Sequence, residues 1–117
     1  MKPFERGNHY TEEIGPLEAQ ELCHAGALLI DVRELDEWNA GHAPDARHVP
    51  LGQLDPAQFD HGSRIVTVCR SGNRSAFAAT ELRRAGFAVS NLAGGMKAWA
   101  SAGLSVTSST GDLGVVI

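Results

Sequence analysis

The sequence predicts an α/β domain built on a mainly parallel sheet, and three observations predict it. Two continuous apolar runs, ALLIDV at 27–32 and IVTVC at 65–69, lack the alternation of a half-exposed strand and suit strands covered on both faces. Segments of helical pattern alternate with these runs, as βα units require. The length of 117 residues is that of one domain folding around a single core.

Taken in order, GPLEAQELCHAG (15–26) reads as a short helix, with Pro16 in its first turn and Gly26 as its stop. The strand 27–32 follows, and then ELDEWNAG, a second short helix ending at Gly41. HAPDA is a turn, RHVPL a brief strand ended by Pro50, and QLDPAQFDHGS a polar connection with room for one short helix. After the strand 65–69, SAFAATELRRAG forms a helix with Ala78, Leu82 and Ala85 on one face, Ser75 as N-cap and Gly86 as stop. FAVSNLA (87–93) is a third strand, and GGMKAWASAG a last helix with Met96 and Trp99 on one face. No repeat or low-complexity segment interrupts this order. Residues 1–106 read as a single domain and 107–117 as a C-terminal tail, either flexible or with its apolar end paired.

Apolar residues make up 43% of the chain and charged residues 21%, the balance of a soluble globular protein. No apolar run approaches the ~20 residues of a membrane span. The start, MKPFERGNHY, lacks the apolar core of a secretory leader. Two cysteines, Cys23 and Cys69, are too few for a disulfide framework, so a reducing, cytoplasmic setting is expected. The net charge of −4 argues against nucleic acid as a partner. Its distribution is uneven: Arg64, Arg70, Arg74, Arg83 and Arg84 face only Glu81 within 64–84, a local +4 that leaves −8 elsewhere. A basic segment around the cysteine would draw small anions, although Arg83 and Arg84 read as the wet face of a helix.

Cys69 stands where a strand ends and a helix begins. Ligands collect beyond the carboxyl ends of parallel strands, and the following helix turns its free N–H groups toward the same point. Gly72 permits a tight loop and Asn73 tolerates one, so successive N–H groups can converge on an anion. Such surroundings favour thiolate over thiol. Cys69 therefore reads as a nucleophile rather than a buried filler, whereas Cys23, inside a helix, reads as core.

CRSGNRSA, taken with LLIDVRELDEWNAGH before it and NLAGGMKAWASAGL after it, resembles a single-domain rhodanese, a thiosulfate sulfurtransferase, over residues 11–106. The resemblance implies a twisted, mainly parallel sheet with helices on both faces and Cys69 as the sulfur carrier. It also implies that Arg70, Ser71, Gly72, Asn73 and Arg74 form the loop around its persulfide, with Asp31 and Arg33 as a structural pair beside it. The expected partners are small sulfur anions (thiosulfate and sulfite), cyanide, thiols or a protein thiol, with no cofactor. Arg70 and Arg74 would orient a dianionic donor, with no preference between them. Related phosphatases and arsenate reductases carry Cys-x5-Arg. Here Cys69 and Arg74 enclose four residues, which argues against phosphate chemistry. A regulatory module or dedicated persulfide carrier is the alternative of a different class.

The family often reads Gly-His-Ile-Pro-Gly-Ala where this chain has GHAPDA, so Ala43 and Asp45 depart from the pattern. His42 is expected to hydrogen-bond to backbone. His9, His24, His48 and His61 lack ligand spacing, and no metal site is expected. Glu34, Asp36 and Glu37 read as a solvated helix face, Trp38 and Trp99 as packing residues, and Phe77 as a rim residue. Gly94 and Gly95 begin the last helix, where the resemblance implies a turn beside the cysteine loop, and their small size would let backbone approach closely.

Overall fold

Strand β1 (Glu12–Ile14) opens the fold, followed by α1 (Pro16–His24), β2 (Leu28–Asp31), α2 (Leu35–Ala40), β3 (Arg47–His48), β4 (Arg64–Val68), α3 (Asn73–Arg84), β5 (Ala88–Leu92) and α4 (Gly95–Ser101). This is a computed structural model that describes residues 12–117, so the reading of the first ten residues and of His9 falls outside the described residues. The strands form one sheet in the order β1-β5-β4-β2-β3, every pair parallel. All carboxyl ends therefore lie along one edge.

The absence of alternation in the central strands has its cause in the two layers that cover them. Successive side chains of β4 point to opposite faces. Val66 and Val68 join Leu29, Leu92, Ala19, Met96 and Trp99 in a core under α1 and α4. Ile65 and Cys69 join Ile30, Val32, Ala78, Ala79 and Leu82 in a second core under α3. Helices thus cover both faces, as the resemblance implied.

Four details differ from the sequence reading. β1 was not expected: its Glu12 and Glu13 are exposed and only Ile14 is buried, so no apolar run marks it. α3 begins at Asn73 with Gly72 as N-cap, so Ser75 is the third helical residue and not the cap. Ala85 is the exposed C-cap of α3, and Ala79 is buried in its place. The polar connection before β4 holds two 3-10 turns, Leu51–Gln53 and Pro56–Gln58. No helix among the described residues is long and apolar enough to cross a membrane.

The segment after α4 pairs with the body. Thr107 exchanges backbone hydrogen bonds with His42 at 2.9 and 2.8 Å, and Val115 N donates to Ala40 O at 2.9 Å. Val116 packs against the α1/α4 core.

Candidate active site

Cys69 directly follows β4, the central strand, and only 1% of it is exposed. Its sulfur faces the first turn of α3. Gly72 N donates to Sγ at 3.1 Å and Ser75 Oγ donates to it at 3.2 Å. The chain can turn this tightly because Gly72 takes a left-handed φ of 114°, a region that L side chains rarely occupy. Asn73 does not share that role, since its backbone is helical.

Two neighbours hold the loop from below. Asn91, buried in β5, donates its amide to Gly72 O at 3.1 Å. Thr67 Oγ1 donates to Ser75 O at 3.0 Å. On the other side α4 begins against the loop: Met96 N donates to Cys69 O at 2.8 Å and Lys97 N to Arg70 O at 3.0 Å. Gly95 makes this approach possible, because a Cβ there would overlap Cys69 O and the Arg70 carbonyl. Those two carbonyls are thus engaged by α4, while Gly72 N and Ser75 Oγ face the sulfur as donors.

Burial by itself pushes the Cys69 thiol up. The Ser75 hydroxyl and the N–H groups of Ser75, Gly72 and Ser71 outweigh it, and the thiol lies below its ordinary value. The thiolate is therefore held chiefly by hydrogen bonds to the charged form. The sequence reading expected converging loop and helix-start N–H groups beside two arginines, with Ser75 only as a cap. The N–H groups of Ser71, Gly72 and Ser75 do act on the sulfur. Ser75 is not the cap, and its hydroxyl contacts the sulfur directly.

Of the five arginines in 64–84, only two lie at this edge. Arg64 opens β4 at its far end and pairs with Glu12 at 3.6 Å, while Arg83 and Arg84 end α3, which runs back the same way. Arg74 is gripped by Glu37, Nη1 to Oε1 and Nη2 to Oε2 at 2.8 Å each. Glu37, read as a solvated acid, is 15% exposed at its side chain. The Arg74 hydrogen bond holds its carboxyl down to about 2. Arg70 is exposed and its Nε donates to Ile117 O at 2.8 Å.

Asp31 and Arg33 form a fully buried pair at the end of β2, with Nη2 at 2.8 Å from Oδ2. Nη2 also donates to Gly41 O at 2.7 Å, so the pair anchors the end of α2. His42 bonds Trp38 O at 2.7 Å, and Trp38 stacks on both His42 and His48. Phe77 is exposed one helical turn beyond Arg74. Cys23 is half-buried and packs against the edge of the α1/α4 core. It lines a separate cavity of about 190 Å³ beside Ala43 and Asp45, and burial raises its thiol. Asn91 and Glu37 were missed as site residues: the first is a lone amide in an apolar strand, the second an ordinary helix acid.

These features make a small, donor-lined cradle that stabilises an anionic sulfur at the end of a central strand. A family model described as rhodanese-like domain matches residues 16–102. The chain is 36% identical over 102 residues to Thiosulfate sulfurtransferase 16, chloroplastic, of Arabidopsis thaliana, covering 74% of this chain and 84% of that one. It is 35% identical over 74 residues to the putative sulfur carrier protein YrkF of Bacillus subtilis, covering 61% of this chain and 40% of that one. It spans about half the length, or less, of two of the curated relatives it matches. A rhodanese-related protein from Thermoplasma volcanium superimposes with a TM-score of 0.76 at 26% identity, covering 82% of this chain and 97% of that one.

Proposed function

The chain belongs to the rhodanese-like domain family, and on that premise we propose that it is a sulfurtransferase carrying sulfane sulfur as a persulfide on Cys69. One observation carries the reading: Cys69 Sγ sits in a loop that offers it hydrogen-bond donors from Gly72 and Ser75. The thiolate attacks the outer sulfur of thiosulfate. A bond forms from Sγ to that sulfur, the sulfur–sulfur bond of the donor breaks, and sulfite leaves with the electron pair. Cyanide or a thiol then attacks the terminal sulfur, which leaves as thiocyanate or a new persulfide, and the Cys69 thiolate returns. This is double-displacement covalent catalysis, seen as ping-pong kinetics.

The loop residues divide the work. Ser71 and Gly72 present N–H groups to the sulfur, acting on its charge as an oxyanion hole acts on oxygen. Arg70 supplies the cation for an anionic donor, and Arg74, held by Glu37, fixes the loop. The low exposure of Cys69 restricts access to small molecules or a protruding thiol.

A second reading, a persulfide carrier loaded or unloaded by a protein partner, is favoured by the likeness to a protein named a putative sulfur carrier. The test is intact mass of the reduced protein after thiosulfate and then after cyanide, beside Cys69→Ser. A single sulfur gained on Cys69, lost to cyanide and absent from the variant, is the expected result. A folded, reduced protein that gains none would remove thiosulfate as donor and leave the carrier.

A further inference from the structure

Residues 103–117 lie beyond the matched family region, yet the end of this segment reaches the candidate site. It docks on the C-terminal end of α2, where Ser109 N donates to Asn39 O at 3.1 Å and Val115 N to Ala40 O at 2.9 Å. The seat depends on glycine. A Cβ on Gly114 would stand 2.8 Å from both Gly41 Cα and the Thr107 carbonyl carbon, closer than real Cβ contacts come. Val116 packs inward, and the last contact joins Ile117 O to Arg70 Nε.

Both loop guanidiniums therefore have protein acceptors, Arg74 in Glu37 and Arg70 in Ile117. A guanidinium grips two oxygens of an oxyanion through a pair of adjacent N–H groups. With Nε engaged, Arg70 cannot offer its Nε/Nη edge. An anionic substrate must compete with Ile117 for it.

We propose that residues 113–117 are a strap that competes with small oxyanions for Arg70 and so sets the selectivity of the site. Docked, the strap disfavours a dianionic donor relative to a neutral one. Released, it returns the Arg70 edge to the mouth. The naming of thiosulfate as the excluded donor rests on the sulfurtransferase reading; the competition for Arg70 does not.

The test compares alkylation of Cys69 by iodoacetate, which is anionic, and by iodoacetamide, which is neutral, with the labelled cysteine located by peptide mass. Wild type, Gly114→Ala and a chain lacking 113–117 are each measured with and without Arg70→Gln. Either strap change should raise the iodoacetate-to-iodoacetamide rate ratio about two- to five-fold at low ionic strength. The rise should vanish in high salt and in the Arg70→Gln background. Turnover should show the same factor as a lower KM for thiosulfate with kcat held. An unchanged ratio in both strap variants, or a rise that survives Arg70→Gln, overturns the strap. If thiosulfate never loads Cys69, the sulfurtransferase reading fails while the alkylation ratio still decides the strap.

Discussion

Glu37 and Arg74 meet as a two-point ion pair that joins the middle of α2 to the first turn of α3, across 37 residues of chain. A carboxyl held down to about 2 contributes stability that is fully present above its ordinary value of 4.5 and is lost as pH falls through about 2. The Arg74 side chain is 37% exposed, so solvent screening limits the pair to about 1 kcal/mol. Glu37→Gln should remove roughly that amount at pH 7 and flatten the acid limb between those two values. Urea unfolding across a pH series checks it. A Glu37→Gln deficit that is the same at the acid extreme as at neutrality would assign the effect to packing.

Ser75 acts on the same sulfur from inside the helix. Ser75→Ala keeps the helix and removes one donor to Sγ, so the Cys69 ionisation midpoint should rise. The rise lowers the thiolate fraction, and with it the iodoacetamide rate, at pH values below the new midpoint. The rate–pH profile of Cys69 alkylation reads this directly, and a midpoint that stays where it was would take Ser75 out of the thiolate's support.

Gly95 has a φ of 60° and no room for a Cβ beside the Cys69 and Arg70 carbonyls. Gly95→Ala should cost about 2 kcal/mol or more and disturb Cys69 reactivity as well. Gly26 is the control: its φ is 110° and nothing lies within 4 Å of a Cβ there. Gly26→Ala should cost about 1 kcal/mol and leave Cys69 unaffected. Equal losses at the two sites would show that backbone strain alone, and not the contact with the loop, makes Gly95 necessary.

The Asp31–Arg33 pair is fully buried. Asp31→Ala leaves Arg33 charged without its partner and should destabilise the fold by about 3–5 kcal/mol. Replacing both with apolar residues of similar volume should cost less than Asp31→Ala alone, as thermal unfolding of the two variants would reveal. The reverse order would mean that the pair contributes net stability beyond mutual neutralisation.

What could be read in advance was local. The runs at 27–32 and 65–69 announced strands because two covering layers require continuous apolar side chains. Cys69 and Gly72 announced the loop because strand end, glycine and helix start lie within five residues. What escaped was created by distance. β1 is a strand only because β5 pairs with it, and two of its three side chains face solvent. Glu37 looks like any helix acid until folding sets it against Arg74. Ser75 resembled a cap because Ser favours that position, but Gly72 turns the chain three residues earlier, and the hydroxyl reaches both Cys69 Sγ and Gly72 O. The seating of the last residues depends on Gly41 meeting Gly114, a contact with no local signature.

The strand order also dictates an order of events in synthesis. Among the described strands β1 leaves the ribosome first, but its only partner among the described residues of the sheet is β5, 78 residues later at the Glu12–Ser90 contact. Until β5 emerges, β1 has no ladder to join, whereas β2, β3 and β4 can pair as they appear. Closing the longest loop last is the slow step that non-local parallel pairing imposes. The amides of β1 should accordingly gain protection after those of β4 in pulsed hydrogen exchange during refolding. A nascent chain halted before residue 88 should hold its first strand unpaired.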